Sequence, residues 1–141
     1  MTAPHSLPPA LGPAGEAYGW LGGASIRIVL PGALCADRLS IVEIQAGAGY
    51  AAARHTHQHE DEVFYVLDGA LTVWAGDQRR ELATGDRAFL PRGTPHRYRV
   101  DAGPARIVNV CTPGGLDGFF REVAGGAPLE EVAARYGVAY G

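Results

Sequence analysis

The chain predicts an all-β domain, a sandwich or barrel of short strands that ends in short helices. Two observations carry this. Short apolar runs recur at close intervals from Ile26 to Cys111, and glycine- or proline-bearing turns separate nearly all of them. A helical period shows only beyond that ladder.

Residues 1–18 (MTAPHSLPPALGPAGEAY) are rich in Pro, Ala and Gly without periodicity, and read as a tail or an arm laid over the surface. His5 falls in this tail and is expected to be inert. A single domain follows over 19–141, because 141 residues suit one hydrophobic core and no repeat of about 20–50 residues is visible. The expected strands cover 26–30, 39–45, 51–57, 62–67, 70–75, 79–82, 87–90, 96–100 and 106–111. Turn chemistry parts them at Pro31-Gly32, Gly47-Ala48-Gly49, Asp68-Gly69, Gly76-Asp77, Gly85-Asp86, Pro91-Arg92-Gly93 and Gly103-Pro104. The helical C-terminus spans 116–137. Residues 116–123 form one short helix. In 128–136 (PLEEVAARY) Leu129, Val132, Ala133 and Tyr136 repeat at helical spacing, with Pro128 suited to the first helical position and Gly137 as the stop.

Composition removes several functions. The chain is 47% hydrophobic and 19% charged, which is globular. All 12 basic residues are arginine, so Schiff-base chemistry on a lysine is excluded. A net charge of −3 argues against nucleic acid as a partner, and Arg97 and Arg99 read as a solvated outer strand face. Ser6, Ser25 and Ser40 are the only serines and none lies in a nucleophile elbow. Cys35 and Cys111 form no C-x-x-C unit and read as reduced, half-buried residues. There is no secretory leader pattern and no apolar run near ~18 residues, so a cytoplasmic protein without membrane contact is expected.

Four of the five histidines fall in two glycine-bounded segments. In the first, 49–69, His55 and His57 alternate along a strand and so share a face, ~7 Å apart at ~3.3 Å per residue. Glu62 opens the returning strand and can complete a two-histidine, one-carboxylate face on a metal. In the second, 85–96, a turn at Pro91-Arg92-Gly93 precedes His96, the natural fourth ligand. Burying three histidines and a carboxylate from separate strands is costly without a shared partner. His59 lies on the same alternation. It reads as a loop residue or a support for the ligands, with a proton relay at the entrance as its alternative.

These segments resemble the two motifs of the cupin family. Gly49, His55, His57, Glu62 and Gly69 match the first; Gly85, Pro91, Gly93 and His96 match the second. Only the last position departs, with Val100 where the family has Asn. The resemblance implies a double-stranded β-helix, or jelly-roll barrel, with His55, His57, Glu62 and His96 on one divalent first-row metal per chain. Four donors leave open positions on a six-coordinate ion, which favours Fe, Mn, Ni or Co, with Zn as a further option. It also implies a homodimer paired through edge strands.

Within the family, HEDEVFYVLDGALTVWAG and TPGGLDGFFREV are most similar to the quercetin 2,3-dioxygenase-like group. That likeness implies dioxygen chemistry on a flavonol-like, aromatic or polyketide-like enolic substrate, with Glu62 doubling as the catalytic base. If Glu62 and His96 point inward, alternation sends Phe64, Val66, Tyr98 and Val100 inward too, as the expected substrate wall. Trp20 and Trp74 read as core or interface, and Phe119 and Phe120 as closing the barrel mouth or packing the last helix. The competing functions are a non-redox cupin of natural-product biosynthesis (cyclase, isomerase or lyase) and a non-catalytic ligand binder.

Overall fold

A computed structural model describes residues 6–141; His5 lies outside them. In chain order the elements are β1 (Ala17–Trp20), β2 (Ala24–Leu30), β3 (Ser40–Ala46), β4 (His55–His57), β5 (Asp61–Ala75), β6 (Gln78–Ala83), β7 (Arg87–Leu90), β8 (His96–Thr112), α1 (Leu116–Ala124), α2 (Leu129–Tyr136) and β9 (Val138–Tyr140). All strand pairs are antiparallel and belong to one curled sheet. β8 is its hub. One edge of β8 pairs with β3 and, at His96, with β4; the other edge pairs with β5 along nearly its whole length.

Two of the expected breaks are corners within continuous strands. Residues 62–67 and 70–75 are both β5, and 96–100 and 106–111 are both β8. Pairing runs on from Asp68↔Arg106 to Ala70↔Ala102, so residues 103–105 bulge against the single Gly69. Gly69 is required there: its φ is +91°, and a Cβ would lie 2.6 Å from the Ala102 carbonyl oxygen. The bulge also resets the alternation. Before the corner β5 buries Glu62, Phe64 and Val66; after it, Leu71 and Val73. In β8 the inward set changes from His96, Tyr98 and Val100 to Ala105, Ile107, Asn109 and Cys111.

The expected strand over 51–57 is shorter than its pattern. Only His55–His57 is a strand; the residues before it run beside β8 through an Ala51–Arg99 bridge and an Ala52 N–H to Tyr98 carbonyl bond of 2.9 Å. The tail also contributes structure. Its last two residues start β1, and Gly15 is tied to β2 by its N–H to Ile28 (2.9 Å) and by the Arg27 guanidinium on its carbonyl (2.7 Å). Trp20 packs half-buried against the core, meeting Phe119 and Phe120 of α1 edge-on at 5.8 and 5.0 Å between ring centroids. Trp74 faces outward beneath Arg97, whose guanidinium sits 3.8 Å from the ring centroid.

Both expected helices form, with one shift. Pro128 precedes α2 in an extended conformation (φ −61°, ψ 126°), and Leu129 opens the helix. Gly137 ends it at φ +70°. The chain then forms β9, which periodicity did not signal because three residues are too few to show a period. β9 pairs with β4 through His55↔Tyr140, Thr56↔Ala139 and His57↔Val138. Among the described residues no helix is long and apolar enough to cross a membrane.

Candidate metal centre

Three strands deliver four donors to one place. β4 supplies His55 and His57, the first turn of β5 supplies Glu62, and the start of β8 supplies His96. Each is placed by pairing: His55 opposite His96, and Glu62 between Leu90 of β7 and Cys111 of β8. One donor atom from each residue falls within 4.8 Å of all the others. His57, Glu62 and His96 are buried and His55 is partly buried.

The rings are oriented as metal ligands are. His55 Nδ1 lies 2.7 Å from the Ala53 carbonyl and His96 Nδ1 lies 3.0 Å from the Thr94 carbonyl. A carbonyl only accepts, so each Nδ1 carries the proton and each Nε2 keeps a lone pair for the centre. His57 Nε2 and His96 Nε2 approach Glu62 Oε1 at 2.8 and 3.0 Å. Yet Glu62 Oε1 and His96 Nε2 have no hydrogen-bond partner, because the approach directions are wrong for one. Buried polar atoms that converge without bonding are costly unless a cation sits among them. The donor set therefore fits a metal ion, and the cluster can hold one.

Electrostatics points the same way. Burial, with the His96 and His57 rings beside it, lowers the His55 pKa to about 4, which keeps the ring neutral. Burial alone would raise Glu62, but the His57 and His96 rings outweigh it and hold this carboxyl far below the usual range. At His96 burial pulls downward, the contact with Glu62 pulls upward, and the net shift is upward.

Several site residues were not read from the pattern. Asn109 Nδ2 donates to Glu62 Oε2 at 2.7 Å, and the Cys111 thiol donates to Asn109 Oδ1 at 3.1 Å. Cys111 is thus a buried part of this network instead of a half-buried filler, and burial beside Glu62 pushes its pKa up. Glu60 lies in a polar stretch of the sequence, Gln58–Asp61. It is buried, with Oε2 4.0 Å from His57 Nδ1 and neither atom otherwise bonded. Burial raises its pKa. The sequence held one usable signal: Asn109 is the polar residue within the otherwise apolar run 107–111. His59 is exposed, and its ring lies against Gly137, where a Cβ would be 2.5 Å away.

His55, His57 and Glu62 open onto a cavity of about 190 Å³; His96 is buried behind them. Of the expected substrate wall, Phe64 and Tyr98 line it. Val66 and Val100 do not; they are 0% and 1% exposed, packed in the core below it. Tyr50 and Tyr140 line it as well, with the Tyr140 ring 5.8 Å from His55.

Comparison with known proteins agrees with this geometry. Quercetin 2,3-dioxygenase of Bacillus subtilis (strain 168) is 34% identical over 90 residues, 64% of this chain and 26% of the relative. Quercetin 2,3-dioxygenase of Aspergillus japonicus is 31% identical over 71 residues, 47% of this chain and 20% of the relative. The chain thus spans about a quarter or less of the length of these curated relatives. Among solved structures, KdgF from Halomonas sp. superposes with a TM-score of 0.66 at 22% identity, covering 72% of this chain and 89% of that one, which shows a shared fold. The cupin domain matches residues 40–111, a stretch that contains all four donors, and the chain belongs to the cupin family.

Proposed function

We propose that this chain is a metal-dependent cupin enzyme of the quercetinase type, acting with dioxygen on a small enolic or phenolic molecule. The observation that carries the reading is the convergence of His55, His57, Glu62 and His96 within 4.8 Å, three of them lining a cavity. The partial likeness to two quercetin 2,3-dioxygenases supports the oxygenase class. Fe, Mn, Ni or Co suits the three imidazoles and one carboxylate, and Zn fits the same donors. When bound, such an ion supplies Lewis acidity toward a substrate oxygen and, for the redox-active metals, a partner for dioxygen.

The chain's own residues do the rest. His55 and His96 keep their Nε2 atoms aimed inward through their Nδ1 contacts to backbone carbonyls. Asn109 occupies Glu62 Oε2, so Oε1 is the atom that receives a substrate hydroxyl proton. Phe64 and Tyr98 wall the donor end, and Tyr98, with Tyr50 beside it at 6.0 Å between rings, brings a phenol to the polar side. The apolar walls keep water from competing for the reacting atoms.

A second reading has its own support. Because Asn109 and Cys111 tether Glu62, the carboxylate has little freedom to swing as a shuttling base. That suits Lewis-acid isomerisation, cyclisation or elimination without oxygen. Elemental analysis of the purified protein, followed by substrate-dependent oxygen uptake, separates the two. Metal near one per chain with stoichiometric uptake is expected. Conversion of an enolic substrate without oxygen consumption would replace the oxygenase reading by the non-redox one, and absence of metal binding would end both.

A further inference from the structure

The cavity is built from two sources. The residues at its donors come from the matched cupin domain, while part of its wall comes from segments outside residues 40–111. Trp20 belongs to β1, Phe119 and Phe120 to α1, and Tyr140 to β9. Trp20, Phe119 and Phe120 interlock edge to face, with centroids 5.0–5.8 Å apart and planes at 66–70°. Phe119 is 2% and Phe120 8% exposed. Rings packed this way form a stiff stop instead of a pliable lid.

Size and charge then constrain the occupant. At about 190 Å³ the cavity is little larger than a ~150 Å³ protein cavity that accepts benzene, and smaller than the ~300–1,000 Å³ of sites for drug-sized ligands. One ring with a few substituents fills it; the three rings of a flavonol do not. No arginine lines it, and Glu62 is its only carboxylate. A carboxylate, phosphate or sulfonate on the substrate would therefore enter without a cationic partner. The polar groups sit at the donor end, where Tyr98 and Asn109 accompany the ligands.

We propose that the substrate is a neutral single-ring compound, with adjacent enolic or phenolic and carbonyl oxygens on one edge facing the donors and its apolar edge against Trp20 and Phe120. This rests on the metal-centred reading above, and it departs from the flavonol that the family likeness implies. The packed rings of Trp20, Phe119 and Phe120 are what set the limit.

Zinc-loaded protein tests it, because zinc is redox-silent and binding is read without turnover. Zinc content is measured first, then calorimetric titrations with three probes: maltol (one neutral ring), comenic acid (a related hydroxypyranone bearing a carboxylate) and quercetin. Zinc retention is checked after each titration. Maltol is expected to bind at least tenfold tighter than either of the others. Phe120→Ala, by opening the wall, is expected to bring quercetin within threefold of maltol. Quercetin or comenic acid binding the wild type as tightly as maltol would overturn the proposal, as would maltol failing to bind zinc-loaded protein. A protein that takes up no metal defeats the metal-centred reading itself, and this inference with it. Should Phe120→Ala fail to fold, the wild-type ratios decide alone.

Discussion

Replacing Asn109 by alanine is the sharpest test of how the site is held. The side chain is 2% exposed and its amide donates to Glu62 Oε2 at 2.7 Å. Its orientation is fixed by Cys111, whose thiol donates to Oδ1 at 3.1 Å, leaving the amide nitrogen for the carboxylate. Asn109→Ala removes a hydrogen bond to a buried charged group, which is worth about 1.5–3 kcal/mol. At 1.4 kcal/mol per factor of ten, metal affinity falls roughly 10- to 100-fold if the whole loss appears in binding. Losses of partners that orient metal ligands run in the same range, ~10–100-fold, from a separate body of mutational data. The assay is competition for Zn²⁺ and Co²⁺ against a chromophoric chelator, with the Co²⁺ absorption spectrum reporting a changed donor field. A dissociation constant within threefold of wild type and an unshifted spectrum, in a variant whose circular dichroism is native, would refute the reasoning. The tether would then be packing and nothing more.

Three further outcomes are expected. The double variant His57→Ala/His96→Ala removes two of four donors, so elemental analysis should find the metal lost while far-ultraviolet circular dichroism stays that of the β fold. The metal-free protein should lose stability as pH falls from 6.5 to about 4, because the unfolded chain protonates His55 near 6.5 and the folded chain only near 4. Over that window the unfolded state binds more protons, and the loss approaches about 3 kcal/mol in urea titrations. His96 acts oppositely, adding stability at low pH that is lost as pH rises through its raised pKa, and that change falls above 6.5. Gly137→Ala forces a Cβ into a left-handed conformation at φ +70°, against the His59 ring, and should cost about 1–2 kcal/mol by urea titration. Removing the ring as well, in Gly137→Ala/His59→Ala, returns only the part due to the clash.

The convergence of His55, His57, Glu62 and His96 was legible because strand alternation and turn spacing are local, and both survive folding unchanged. His55 and His57 needed only a period of two to share a face, and the structure puts them there with rings 4.8 Å apart. The same rule failed where it was carried through too many residues. Val66 and Val100 keep the inward parity of Glu62 and His96, yet they lie below the cavity floor, since parity assigns a face and not a depth. Asn109 and Cys111 face the site only because the bulge at 103–105 shifts the parity of β8, and a bulge cannot be located from Gly103-Pro104 alone. Trp20, Phe119, Phe120 and Tyr140 come from segments whose position depends on tertiary packing, and no local pattern places them.

β9 has a consequence for when the candidate donors are brought together. The strand that holds His55 and His57 is three residues long, and β9 pairs with all three of them. Its neighbour on the other side touches it at a single pair, His55↔His96. So His55 and His57 take most of their backbone pairing from residues 138–140, among the most distant contacts in the chain, with the Gly93 N–H on the His57 carbonyl at 2.8 Å as a further tie. Closing so long a loop is entropically slow, and contacts of that range form late. The face that His55 and His57 share is thus a product of long-range pairing, and not of β4 alone.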